Sequence, residues 1–189
     1  MARTRNPAHR IALLEAATKV IAAEGLGAST ASIARAAGVS TGTLFVYFET
    51  KAALINELYV VLKSDMGRVA TEGLQADASP REQVRFMWDR WLAWALDDPD
   101  KRRALAHVSV AEELSDDSRV AVHAAYAGTA EILGKIMADG PMREVPLSFV
   151  STLMSAIADA TIDDLIAQPD PTGTRSTQGF DAMWRALAG

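Results

Sequence analysis

Residues 29–48 read STASIARAAGVSTGTLFVYF, and the fold turns on this stretch. Two short helical runs flank Gly38-Val39-Ser40. Glycine takes a positive φ without the clash that a Cβ brings, so Gly38 suits a sharp turn. Ile33, Ala34, Ala37, Val39 and Leu44 are spaced to form the inner face of a tight two-helix corner. Ala34 and Ala37 are small because the helices cross closely there. This is the pattern of a helix-turn-helix. Ser40 then caps the second helix. Its first turn, Thr41-Gly42-Thr43, offers hydroxyls, backbone N–H groups and bare backbone. A recognition helix enters the major groove with its N-terminal residues. A purely structural helical hairpin is the other reading of the same corner.

The flanks favour a polyanion. Arg3, Arg5 and Arg10 precede the first helix as a basic arm, and Tyr47, Thr50 and Lys51 follow the second helix of the corner. Lys51 sits where the next helix begins, and a cation there opposes the helix dipole. An intervening DNA phosphate would offset that cost. The whole chain has a net charge of −5, but the charge is unevenly spread. Residues 1–51 carry six basic and three acidic groups, whereas residues 52–189 carry 13 basic and 21 acidic ones. A basic head on an acidic body is the expected outcome.

Residues 13–54, from LLEAATKVIAAEG through IARAAGVSTGTLFVYFETKAAL, resemble the N-terminal domain of TetR-family transcriptional regulators. The resemblance rests on Glu15-Ala16-Ala17, Gly25, Ile33-Ala34, Ala37-Gly38-Val39-Ser40, Gly42-Thr43-Leu44, Phe48 and Lys51. It implies a homodimeric repressor of double-stranded DNA with a C-terminal domain that senses a small molecule. By position, Thr30, Thr41 and Tyr47 would donate to phosphates, and Lys51 would contact another. Gly42 and Thr43 would approach base edges or backbone, and Arg35 would add a contact from the second helix. The chain departs from the family in two places. Phe45 stands where the family usually has Tyr, and Ala52 and Ala53 replace the acidic residues that often follow the Lys. The resemblance divides the chain into a helix-turn-helix domain, 1–51, and a ligand-binding and dimerisation domain, 52–189.

The rest of the chain reads as helix, giving an all-α protein of about nine helices in which Gly and Pro cluster at the breaks. The first runs from about Pro7 to Glu24, the second from Ser29 or Thr30 to Gly38, and the third from Ser40 to Tyr47. The fourth runs from Thr50 to Thr71. Ser79-Pro80-Arg81-Glu82 is a capping box with Pro at the first helical position, and its helix runs to Asp97. Further helices are expected over Asp100–Leu114, Asp116–Asp139, Pro146–Gln168 and Thr177–Leu187.

Trp88, Trp91 and Trp94 recur at i, i+3 and i+6, a spread expected to leave some of them lining a cavity, an interface or the surface. With Met87, His107, His123 and Tyr126 they are candidates to line an effector pocket, and its ligand is expected to be apolar or aromatic. Core packing is the competing reading for each of them. The stripes of the last two helices, including Phe149, Leu153, Ile157, Phe180 and Trp184, are expected at a dimer surface closed as a four-helix bundle. Burial within one subunit is the alternative.

With no Cys and three scattered His, neither a metal centre nor a cofactor is expected. No nucleophile–base pair or phosphate-binding glycine loop is visible, so no enzyme activity is expected. No apolar run approaches the ~18 residues of a membrane span, and no apolar segment follows the N-terminal arginines. A cytoplasmic protein without a membrane partner is the expectation. Two competing functions remain: an all-helical enzyme or carrier using the Trp-lined cavity, and a DNA-binding activator or architectural protein without an effector.

Overall fold

The computed structural model describes residues 6–138 and 140–189. Every regular element among them is helical. The α-helices are α1 (Pro7–Glu24), α2 (Thr30–Ala36), α3 (Thr41–Tyr47), α4 (Lys51–Thr71), α5 (Pro80–Asp97), α6 (Pro99–Ser109), α7 (Asp116–Ala125), α8 (Ala127–Ala138), α9 (Leu147–Ala167) and α10 (Thr174–Ala188). A short 3-10 turn, Gly25–Gly27, follows α1.

The chain packs as two compact units. One comprises the chain up to Asp65 and Asp98–His123, and the other Met66–Asp97 and Ala124–Gly189. The first holds the corner. Leu13, Ala17 and Ile21 of α1, Ile33 and Ala34 of α2, and Leu44 of α3 are all at most 1% exposed. Leu54, Ile55 and Leu58 of α4 are fully buried, as is Ala104 of α6, which packs against α1. Each large aliphatic side chain so buried stabilises by roughly 1.5–3 kcal/mol.

In the second unit Trp88 of α5 is 2% exposed. Its Nε1 donates to the Ser176 carbonyl at 3.2 Å. Its ring meets Phe180 edge-on at 6.3 Å, and Phe180 in turn stacks on Trp184 at 6.2 Å. Gly179 makes room for this junction of α5, α9 and α10. A Cβ there would run into the Thr161 hydroxyl and come within 3.0 Å of the Trp88 ring.

Three boundaries differ from the sequence reading, the first two for a tertiary reason and the third for a local one. The expected 116–139 helix is two, broken at Tyr126. That ring lies over Gly67, where a Cβ would stand 2.9 Å from Cζ. The helix after Pro99 ends at Ser109 rather than Leu114. Asn56 of α4 draws the chain out of helix there, donating to the Glu113 carbonyl at 2.7 Å and accepting from the Ser115 N–H at 2.8 Å. The last helix begins at Thr174 rather than Thr177. Asp170 accepts from the Arg175 N–H at 2.8 Å, and Gly173 at φ +65° turns the chain into the helix.

Gly179→Ala is expected to destabilise by about 1–3 kcal/mol, the usual cost of overpacking a filled core. Gly134→Ala, where nothing lies within 4 Å of the added Cβ, is expected to be neutral or stabilising by up to about 1 kcal/mol. Urea denaturation of the two variants beside the parent checks both; equal midpoints would show that the α5–α9–α10 junction is loose.

Candidate nucleic-acid interface

The corner is built by two serine caps and one glycine. Ser29 Oγ accepts from the Ser32 N–H at 2.9 Å and starts α2, and Ser40 Oγ accepts from the Thr43 N–H at 3.0 Å and starts α3. Between them Gly38 has φ +70°, in the left-handed region. This turn lets the Val39 N–H reach the Ala34 carbonyl at 3.0 Å. Leu44 and Phe48 of the α3 stretch point inward, at 0% and 2% exposure. The opposite face of α3 is open: Gly42, Phe45 and Val46 are exposed.

Several expected DNA contacts are already engaged inside the head. The Tyr47 hydroxyl donates to the Asn6 carbonyl at 3.0 Å and accepts from the Asn6 N–H at 2.8 Å. The His9 ring meets the Tyr47 ring edge-on at 6.2 Å. Tyr47 therefore ties the start of α1 to the end of α3. Asn6 also caps α1, its Oδ1 accepting from the Ala8 N–H at 3.0 Å. Sequence reasoning did not single out Asn6, although Asn followed by Pro at a helix start is a readable cap signal. Lys51 Nζ donates to the Leu26 carbonyl at 2.5 Å. That bond places the cation against the turn after α1 and offsets its opposition to the α4 dipole, with further ammonium hydrogens left to donate. Thr43 Oγ1 shares a hydrogen bond of 2.9 Å with Ser40 Oγ.

Thr30 and Thr41 begin α2 and α3 and are half-buried. Arg35 is exposed in the last turn of α2, where a cation suits the helix dipole. Of the basic arm, Arg3 and Arg5 lie outside the described residues. Arg10 is not part of an arm: it belongs to α1, lies 5.8 Å from the centre of the Phe48 ring and pairs with Glu57 of α4. Burial pushes the Glu57 carboxyl above its ordinary range, and Arg10 pulls it back. Glu57 Oε1 is buried without a hydrogen-bond partner. These facts make the Arg10–Glu57 pair part of the head's frame.

The residues expected to line an effector pocket fall in different places. Met87 and Trp88 are core of the second unit, at 7% and 2% exposure, and Trp91 and Tyr126 are half-buried there. His107 and His123 belong to the first unit and are exposed. His107 lies beside Gly25, its ring 3.6 Å from where a Cβ would stand. Of the expected dimer residues, Phe180 is inside the second unit at 2% exposure because Trp88 and Trp184 enclose it. Phe149 is 53% exposed, and Leu153, Ile157 and Trp184 are half-buried. Beside Ile157 an open groove of about 400 Å³ runs between α9 and α10, lined by Ala160, Thr161, Gln178, Gly179 and Ala182 among others.

Two capped helices meeting at a glycine corner, the second with its outer face open, define a helix-turn-helix protein. Residues 13–58 match the sequence model of bacterial regulatory proteins of the tetR family. The whole chain superposes on a tetR family protein from Shewanella sp. PV-4, assigned as a transcription regulator, with a TM-score of 0.85 and 25% identity. That match covers 99% of this chain and 100% of the other. A TetR family transcription regulator from Marinobacter aquaeolei VT8 gives a TM-score of 0.85 at 22% identity, covering 98% of each chain. The TetR-like regulator LfrR from Mycobacterium smegmatis, solved in complex with proflavine, gives 0.65 at 17% identity, covering 95% of each. Residues 13–58 thus carry a sequence pattern similar to that of the tetR family, and the chain as a whole has the fold of these solved proteins. Among the described residues no helix is long and apolar enough to cross a membrane.

Tyr47→Phe is expected to lower stability by about 1–2 kcal/mol, since it leaves both Asn6 backbone groups without their partner. Thermal unfolding checks the loss, and hydrogen exchange should speed up first at the start of α1. Unchanged exchange there would mean that Tyr47 does not hold that end.

Proposed function

We propose that the protein is a ligand-responsive transcriptional repressor that binds a palindromic operator as a homodimer. The observation that carries this reading is the open outer face of α3 in a capped, glycine-turned corner. Thr30, Arg35, Thr41, Gly42, Thr43 and Lys51 are the proposed DNA contacts; Tyr47 contributes by holding the start of α1 in place. A regulator of this kind works in the cytoplasm, where bacterial DNA lies.

The proposed dimer surface is the outer side of α9 and α10. Phe149 and Ile166 are about half exposed, an unusual placing for large apolar side chains. The small residues Ala160 and Ala182, which line the groove between α9 and α10, would allow a second pair of helices to approach closely. Two copies of α3 would then sit roughly 34–36 Å apart, one turn of duplex, and the operator would be palindromic.

The proposed effector is a small apolar or aromatic molecule, bound beside α5 near Trp91 and Tyr126, with Met87 and Trp88 forming the wall behind. The LfrR complex shows that this fold can hold a planar aromatic compound. Effector binding would release DNA by favouring a dimer whose heads no longer match the operator spacing, which requires different affinities for the two states.

Selection of bound duplexes from a random pool should yield a palindrome; duplexes with no two-fold symmetry would refute the dimeric reading. On the selected operator, Lys51→Ala should weaken binding alike across sequences and lower the slope of log affinity against log salt by about one. An unchanged slope would take Lys51 off the phosphate.

A further inference from the structure

The seven residues of α3 are Thr41-Gly42-Thr43-Leu44-Phe45-Val46-Tyr47. None carries a guanidinium, ammonium, amide or carboxylate. The strong bidentate pairings with base edges need one of these: Arg or Lys with guanine, Asn or Gln with adenine, acidic residues with cytosine. No such pairing is open to this helix. Its remaining polar side chains are partly committed, Thr43 to Ser40 and Tyr47 to Asn6. What α3 does present is apolar. Phe45 is 44% exposed and Val46 52% exposed. Residues four apart share a helix face, so Phe45 lies one turn beyond Thr41, and Val46 one turn beyond Gly42. The bare backbone at Gly42 leaves no side chain to hold Val46 away from a base edge.

We propose that Phe45 and Val46 read the operator through the C5 methyl groups of thymines in the major groove. This rests on the DNA binding proposed above. Duplex DNA is the occupant that the surroundings favour, since the face lies on the basic segment of an otherwise acidic chain. Apolar contact with the thymine methyl is the one major-groove recognition mode that needs no hydrogen bond. Phe45 thus replaces a polar group with a methyl reader. Specificity rests on shape and desolvation, while phosphate contacts from the flanking residues set the register.

The test uses the full-length protein and its selected operator at fixed salt. Each half-site thymine in turn is replaced by deoxyuridine, which lacks only the methyl. At the thymines under Phe45 and Val46, Kd should rise about fourfold, since one buried carbon of this kind contributes about 0.8 kcal/mol and 1.4 kcal/mol is tenfold. In Phe45→Ala or Val46→Ala that penalty should vanish at the matching position, as a double-mutant cycle requires. Both side chains are surface-exposed, and the melting curves of the variants report that they fold. A wild-type protein that binds thymine and deoxyuridine operators equally overturns methyl readout while leaving DNA binding intact. A penalty that persists undiminished in both variants assigns the methyl to another residue and also overturns it. If selection recovers no bound duplex, the DNA-binding reading fails and takes this one with it.

Discussion

The closed joint between α2 and α3 is the constraint on which the head depends. It needs one residue at φ +70° and a small side chain where the helices cross. Gly38 and Ala34 meet those needs. With the turn made, Ile33 and Leu44 are removed from water completely, as are Leu13, Ala17 and Ile21 of α1. A left-handed turn at a residue with a Cβ would cost roughly 1–2 kcal/mol, and a larger residue at 34 would separate the helices. Two serine caps then fix where each helix begins, so the direction of α3 follows from the joint.

Polar groups around the joint serve the head before they serve any partner. Tyr47 closes onto Asn6, Lys51 onto Leu26 and Arg10 onto Glu57. Each ties together elements distant in the chain. The consequence for recognition is subtractive. With these groups held in the frame, the outer face of α3 is left with a glycine backbone and two exposed apolar side chains. A surface of that kind suits close apposition more than hydrogen-bonded readout.

The second unit follows a different rule. Its centre is an aromatic series, Trp88 to Phe180 to Trp184, with Arg85 over the Phe180 ring at 5.0 Å. Rings of this size leave little slack, and the neighbouring Gly179 accommodates them by having no side chain. Phe180 and Trp88 are both buried at this centre. Phe149 and Ile166 of α9, by contrast, stay about half exposed.

The helix-turn-helix was legible because its information is local. The left-handed glycine, the serine caps, the alanine crossing and the apolar spacing of α1 to α3 all sit within a few residues of the geometry they impose. The helical class of the whole chain was legible for the same reason. Tertiary contact decided the rest. Gly128 weakens the helix near Tyr126, but it is Gly67, far away in sequence, that provides the space the Tyr126 ring takes. Asn56 ends the helix after Pro99 from across the unit. Trp88 and Trp91 look alike as residue types, yet one is core and the other half-exposed. Periodicity shows that a stripe is apolar, but which other surface covers it depends on long-range packing. The sequence alone thus determined the helical class of the chain and the position of its helix-turn-helix. Only the folded chain decided which polar groups are engaged within it, because a hydrogen bond such as Tyr47 to Asn6 joins residues 41 positions apart.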